Sequence, residues 1–151
     1  MLKGINPLLN ADILRALRAM GHGDDLIIAD TNFPSDSVAR QTTLGKLLRI
    51  DNTTAAQAVE AVLSLMPLDS FVDDSAARME IVDSPDEIPP VQQEVQAVLD
   101  AAEGKSWPMM SIERFAFYER AKQAYCVIQT GERRFYGCFA FRKGVIPPDA
   151  E

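Results

Sequence analysis

The stretch MGHGDDLIIADTNFP, Met20 to Pro34, holds the only histidine of the chain, His22, between Gly21 and Gly23. An imidazole titrates near neutral pH, at about 6.5 when unperturbed, and is the usual side chain for moving protons there. The flanking glycines remove side-chain bulk, so a ligand can approach the ring along the backbone. A structural alternative stands beside this one: a histidine just past a helix C-terminus interacts favourably with the negative end of the helix dipole.

Other candidates lie further along. Asp30 closes the apolar run LIIAD, and the ends of strands in α/β folds are common places for ligand contacts. An aspartate before TNFP also suits the capping of a turn. Arg114 and Tyr118 are four residues apart and share a helix face, a charged fork beside a phenol; a solvated arginine covering an aromatic ring explains the pair equally. Phe115, with Ile112, is expected to turn toward the core. Tyr136 precedes Gly137 in a strand-like segment, where glycine often marks close backbone approach, although core packing also accounts for the tyrosine. The chain has no GxxxxGK loop, no Rossmann glycine pattern and no Ser, His and Asp set with elbow spacing. One His and two Cys give no metal-ligand spacing, so no metal is expected. Chemistry resting on one histidine has to be easy chemistry.

These residues need a scaffold. Asn10 is placed to cap a helix from about Ala11 to Met20, with Ile13, Leu14, Leu17 and Met20 as its apolar stripe and Gly21 at its C-terminus. LIIAD is continuous rather than alternating, as in a strand covered on both faces. Asn52 can cap a second helix carrying Ala55, Val59, Val62, Leu63 and Met66, which Pro67 stops. A third starts near Pro90, buries Val91, Val95, Val98 and Leu99, and closes at Gly104. ARMEIV reads as a strand and DSPDEIPP as a surface loop. Ser111 can cap a fourth helix, IERFAFYERAKQ, followed by the strands AYCVIQT and RFYGCFAFRK about a turn at Gly131. Helices and strands alternate, so the fold class is α/β, one domain spanning residues 1–151 with helices packed on a central sheet.

Composition narrows the function. At 47% hydrophobic and 25% charged the chain is an ordinary globular protein. Fifteen Lys and Arg against 22 Asp and Glu leave a net charge of -7, which argues against nucleic acid or an anionic membrane as partner. No apolar run is long enough to span a bilayer, and the expected compartment is the cytoplasm, with Cys126 and Cys138 as reduced thiols.

The segments MLKGINPLL, MGHGDDLIIADTNFP, ERFAFYERAKQAY, TGERRFYG and KGV, in this order, resemble the fucose mutarotase branch of the ribose pyranase and fucose mutarotase family. The resemblance covers nearly the whole chain, and RFAFYERA favours the fucose branch. It implies a ribose pyranase-like fold, a ring-shaped homodecamer and a mutarotase that needs no cofactor and interconverts the anomers of a free monosaccharide, L-fucose first. It also implies that His22 is the catalytic acid/base and that Asp30 and Arg114 bind sugar hydroxyls, with Tyr118 beside Arg114. Tyr136 and Gly137 match the start of a sugar-binding YGN segment that in the family approaches the active site of an adjacent subunit. Here Cys138 stands third, replacing an amide with a weakly hydrogen-bonding thiol.

Mutarotation suits such a site. It occurs slowly in water, and general acid/base assistance is worth about 10² to 10⁴-fold without covalent or metal chemistry. Two rivals share the resemblance or the ligand: interconversion of ribose ring forms, and a sugar-binding accessory protein without catalysis. An interaction module using the acidic surface has only net charge in its favour, which a solvated face explains.

Overall fold

The structure, a computed structural model, describes residues 1–150. One six-stranded sheet runs through it. Its strands are β1 (Asp25–Ala29), β2 (Leu48–Ile50), β3 (Ala76–Met79), β4 (Met110–Ile112), β5 (Cys126–Thr130) and β6 (Phe139–Arg142), in the spatial order β2-β5-β1-β6-β3-β4. β1 pairs parallel with β5, as do β2 with β5 and β3 with β4, while β6 runs antiparallel to both its neighbours, β1 and β3. Five strands therefore point one way and β6 alone is reversed. The α/β expectation is met by a mixed sheet.

Helices cover both faces. α1 (Ala11–Ala19), α3 (Ala55–Leu63) and α4 (Pro90–Glu103) pack on the face that carries Leu26, Ile28, Ile128, Phe139 and Phe141. α2 (Ser35–Ala39) and α5 (Arg114–Lys122) cover the face of Ile27, Ala29, Val127 and Ala140. Alternate residues of β1 thus enter opposite cores, which is why LIIA is apolar without a break. Burying its four side chains contributes on the order of 1.5–3 kcal/mol for each large one.

Local signals explain most boundaries. Asn10 Oδ1 accepts the Ile13 N–H at the start of α1. α4 runs from Pro90 to a left-handed Gly104, φ 69°, as its sequence requires. Four expectations need correction. α3 is capped by Thr54 in a capping box with Gln57, while Asn52 lies in a turn at φ 61°. α1 leaves through an extended Met20, and the left-handed glycine of the following turn is Gly23, φ 91°, not Gly21. Ser111 and Ile112 belong to β4, so Glu113 caps α5 through the Ala116 N–H. On this helix the buried face is that of Phe117 and Ala121, whereas Phe115, two residues before Phe117, points away and is 65% exposed.

Candidate active site

The direction of the strands decides which residues meet. The C-terminal ends of β1, β3, β4 and β5 share one edge of the sheet, and the reversed β6 begins there. Asp30 follows β1, Arg114 follows β4, and Tyr136, Gly137 and Cys138 lead into β6. A cavity of about 430 Å³ opens at this edge, lined by Asp30, Arg114, Tyr118, Tyr136 and Cys138 with Phe33, Phe135, Met79 and Asn32. Five candidates from the sequence therefore line one pocket, of a size suited to a small ligand and with a few polar groups among apolar walls.

Asp30 is its keystone. The side chain is buried; Oδ1 accepts the N–H groups of Asn32 and Phe33 at 2.9 and 3.0 Å, and Oδ2 accepts the Gly137 N–H at 3.0 Å. The turn-capping role and the pocket position are thus both real. The Cys138 Sγ–H donates to the same Oδ2 across 3.5 Å, and burial followed by the Asp30 charge pushes that thiol far above its ordinary range. It stays neutral, a weak donor in the pocket wall. Gly137 has to be glycine: a Cβ there would lie 2.9 Å from Glu132 Cγ and 3.3 Å from Asp30 Cβ.

The fork expected on α5 is present. Arg114 Nε donates to Tyr118 Oη at 3.2 Å, and the guanidinium lies 5.5 Å from the Tyr118 ring centroid and 5.4 Å from that of Phe115. Phe33 meets the Tyr118 ring edge-on at 5.2 Å, which sets the floor of the pocket. Tyr136 lies in a turn, not a strand, with a left-handed backbone at φ 63°. For a bulky residue this costs of order 1–3 kcal/mol and persists only where neighbours impose it. Gln92, fully buried on α4, supplies the restraint: its Nε2 donates to the carbonyls of Tyr136 at 3.0 Å and Met79 at 2.7 Å. Nothing in the sequence marked Gln92, whose polarity reads as an ordinary exposed helix position.

His22 stands apart, in the turn before β1, at the opposite edge of the sheet. A five-residue strand separates it from Asp30, about 17 Å at the usual rise. The folded chain thus places Tyr136 and Gly137 with Asp30 and Arg114, and it is the histidine that lies elsewhere. Its side chain is 44% exposed, with Nε2 3.2 Å from Oδ2 of Asp69 and its ring edge-to-face with Phe71 at 5.6 Å. The Phe71 N–H, donated to Asp69 Oδ1 at 3.0 Å, holds that carboxyl below its ordinary value against the opposing effect of burial, and His22 adds to it. Asp69 escaped the sequence reading because a loop aspartate suggests only a turn.

Comparison with known proteins adds the context. Residues 3–146 match the model of the RbsD / FucU transport protein family. The fucose mutarotase of Homo sapiens is 44% identical over 148 residues, spanning 96% of this chain and 94% of its own. Among solved structures, protein Atu2016, a candidate sugar binding protein, is 69% identical with a TM-score of 0.95, and 97% of each chain is covered. The fucose mutarotase of Streptococcus pneumoniae in complex with L-fucose is 36% identical with a TM-score of 0.86, covering 97% of this chain and all, 100%, of that one.

Proposed function

The chain belongs to the RbsD / FucU transport protein family, and on that premise we propose that it is a mutarotase interconverting the α and β anomers of L-fucose. The observation that carries the reading is the full-length similarity to a fucose mutarotase solved with L-fucose. The pocket supports it chemically. A planar guanidinium, a phenol and a buried carboxylate can grip several hydroxyls of one sugar ring, and the aromatic walls suit its apolar face.

In this mechanism Arg114, Tyr118 and Tyr136 hold the sugar over the Asp30 edge. His22 acts as the acid/base: the ring oxygen gains a proton, the anomeric hydroxyl loses one, and the C1–O5 bond breaks to leave the open aldehyde. Rotation about C1–C2 and the reverse proton transfers close the other anomer, with water or a sugar hydroxyl completing the relay. No net proton or electron is consumed. Because His22 and Asp30 occupy opposite edges of one sheet, a complete site takes the histidine of one protomer and the pocket of another. Such a head-to-tail contact is heterologous, the type from which closed rings are built, in keeping with the decamer we assign by family resemblance. The cytoplasm fits a chain whose two cysteines are buried and unpaired.

Saturation-transfer NMR on fucose, ribose and galactose tests the function. Exchange between fucose anomers above the buffer rate is the expected result. Acceleration confined to the ring forms of ribose would replace the substrate, and sugar binding without exchange would leave an accessory binding protein.

A further inference from the structure

β3 carries a charge where its neighbours are apolar. Ala76, Ala77 and Met79 are buried in the two cores, and Arg78 among them is only 6% exposed. A buried cation is costly unless its donors find acceptors. Arg78 Nη2 donates to the Pro85 carbonyl and Nη1 to Gln92 Oε1, each at 3.1 Å. Neither acceptor carries a charge, so neither bond is an ion pair. What Arg78 fixes is the direction of the Gln92 amide. Gln92 sits in the first turn of α4, fully buried, with its backbone N–H on the Pro89 carbonyl at 2.9 Å. A guanidinium only donates, so the amide has to turn Oε1 toward it and Nε2 away. Nε2 then faces the carbonyls of Met79 and Tyr136 and commits both of its protons. The reverse orientation would set an oxygen against two carbonyls and an NH2 group against the guanidinium.

Met79 and Tyr136 both line the pocket. The left-handed backbone of Tyr136 is strained for a residue of its size, and the amide of Gln92 holds its carbonyl in place. At the other end of the same residue, Tyr136 Oη accepts the Val82 N–H at 3.3 Å. The phenol is thus suspended between α4 and the segment that follows β3.

We propose that Gln92 is a positioning residue for the sugar: oriented by Arg78, it keeps the Tyr136 turn in its strained form against the end of β3, so that this wall of the pocket is set before a sugar arrives. The inference rests on the reading of this pocket as the sugar site, with Tyr136 holding the ring. A pocket whose competent form is populated only part of the time binds with an affinity reduced by that fraction. The contribution of the Arg78 and Gln92 pair therefore appears in sugar affinity, not in the proton transfer at the opposite edge of the sheet.

Gln92→Glu keeps the shape and an acceptor for Arg78 but turns an oxygen, not a donor, toward the two carbonyls. The expected result is a folded enzyme whose KM for fucose anomer exchange, and whose fucose Kd by calorimetry, rise about tenfold with kcat held, the pattern of a lost uniform binding contribution. Hydrogen exchange at the Gly137 amide, which is bonded to Asp30 Oδ2, gives a second readout and should quicken as the turn loosens. The double variant Arg78→Met, Gln92→Leu removes both partners together, so no buried charge is left unpaired, and it should show the same rise in KM. A purely structural amide predicts a lower melting temperature with KM, Kd and Gly137 exchange unchanged in the folded molecules. Wild-type KM in either folded variant overturns the proposal, as does a loss confined to kcat or the failure of both variants to fold. Tyr136→Ala separates the premise: if it binds fucose as the wild type does, the reading of Tyr136 in the sugar site falls; if it binds weakly while Gln92→Glu binds as the wild type does, only the role of Gln92 falls.

Discussion

His22 and Asp30 bracket the same strand, one in the turn that enters β1 and the other on the residue that leaves it. Both are assigned to the proposed mutarotase site, yet β1 alone holds them about 17 Å apart. The sheet is rigid, with β1 paired on both sides, so no loop movement can bring them together. On the proposed reading the site is divided between protomers, and the chemistry separates into a proton-transfer edge and a sugar-holding edge that can be impaired one at a time.

At the proton-transfer edge, His22→Ala should abolish most anomer exchange while the far-UV spectrum is kept and the melting temperature falls by no more than a few degrees, since the side chain is half exposed and packs on Phe71 but its loss leaves the buried Asp69 carboxylate without one partner. The expected loss is the acid/base contribution, about 10² to 10⁴-fold, with spontaneous mutarotation as the floor. His22→Asn should behave alike, because an amide hydrogen-bonds but cannot give up a proton at neutral pH. Exchange NMR and thermal unfolding on the same samples decide it. A folded, fully active His22→Ala would remove the assignment.

Arg114→Lys tests the holding edge. Lysine keeps the charge but loses the planar fork that meets Tyr118 Oη at 3.2 Å. Fucose affinity by calorimetry should drop about tenfold, the worth of one charge-assisted hydrogen bond, with the fold intact because Arg114 is exposed. Unchanged binding would mean that the arginine only covers the aromatic ring.

The elements that were legible in the sequence are those whose stability is local or whose burial is complete. α4 shows itself through Pro90, Gly104 and a 3.6-residue stripe, and β1 through an unbroken apolar run. β2 and β4 are three residues each at the two borders of the sheet, too short for a periodicity to emerge, and β4 took Ser111 and Ile112 from the expected helix. The same limit applies at the site. His22, Asp30 and Arg114 stand out by residue type or motif, whereas Gln92 and Asp69 matter through what the fold puts beside them. The reversed β6, which sets Gly137 against Asp30, comes from pairing between distant segments that no local pattern encodes.

Gly137→Ala probes that contact. The added Cβ would sit 2.9 Å from Glu132 Cγ and 3.3 Å from Asp30 Cβ, and both carboxylates are anchored by backbone N–H groups. Neither can give way freely, so the variant should lose about 1–3 kcal/mol of stability by overpacking and bind fucose more weakly, because Asp30 and the Tyr136 turn move apart. Differential scanning calorimetry with ligand titration checks both. Wild-type values in each would show that the close approach is incidental.

Glu132 governs stability in acid. Burial opposes its ionisation, but hydrogen bonds from Arg134, with the Arg134 and Ala55 N–H groups, overcome that and hold it at about 2, against 4.5 ordinarily. Since the folded value is depressed, its stabilisation is complete above about pH 4.5 and disappears as pH falls through about 2. The difference corresponds to on the order of 3 kcal/mol. Glu132→Gln should therefore lower the melting temperature at pH 7 and flatten its decline between about pH 5 and 2, leaving the slope contributed by the other depressed carboxyls, Glu94 on the same arginine, Asp69 and Glu113. Parallel curves for the two proteins would deny Glu132 this role.

Complementation between inactive variants tests the shared site most directly. His22→Ala retains an intact pocket, and Arg114→Ala retains an intact histidine. If each site joins the histidine of one protomer to the pocket of the next, neither homomeric ring should catalyse well. Dissociating both proteins, mixing them equally and reassembling them should make about one quarter of the contacts wild type on both sides, because the two defects sort independently across a heterologous interface. Anomer exchange per protomer should then rise to about one quarter of the wild-type rate. Mixing without dissociation should give nothing, which controls for wild-type carry-over. A site formed within a single chain predicts no gain under any protocol, since every protomer keeps its own defect. Assembled mixed rings that stay inactive would thus return the histidine to its own chain and require a fold in which the two edges of β1 are joined by some other route.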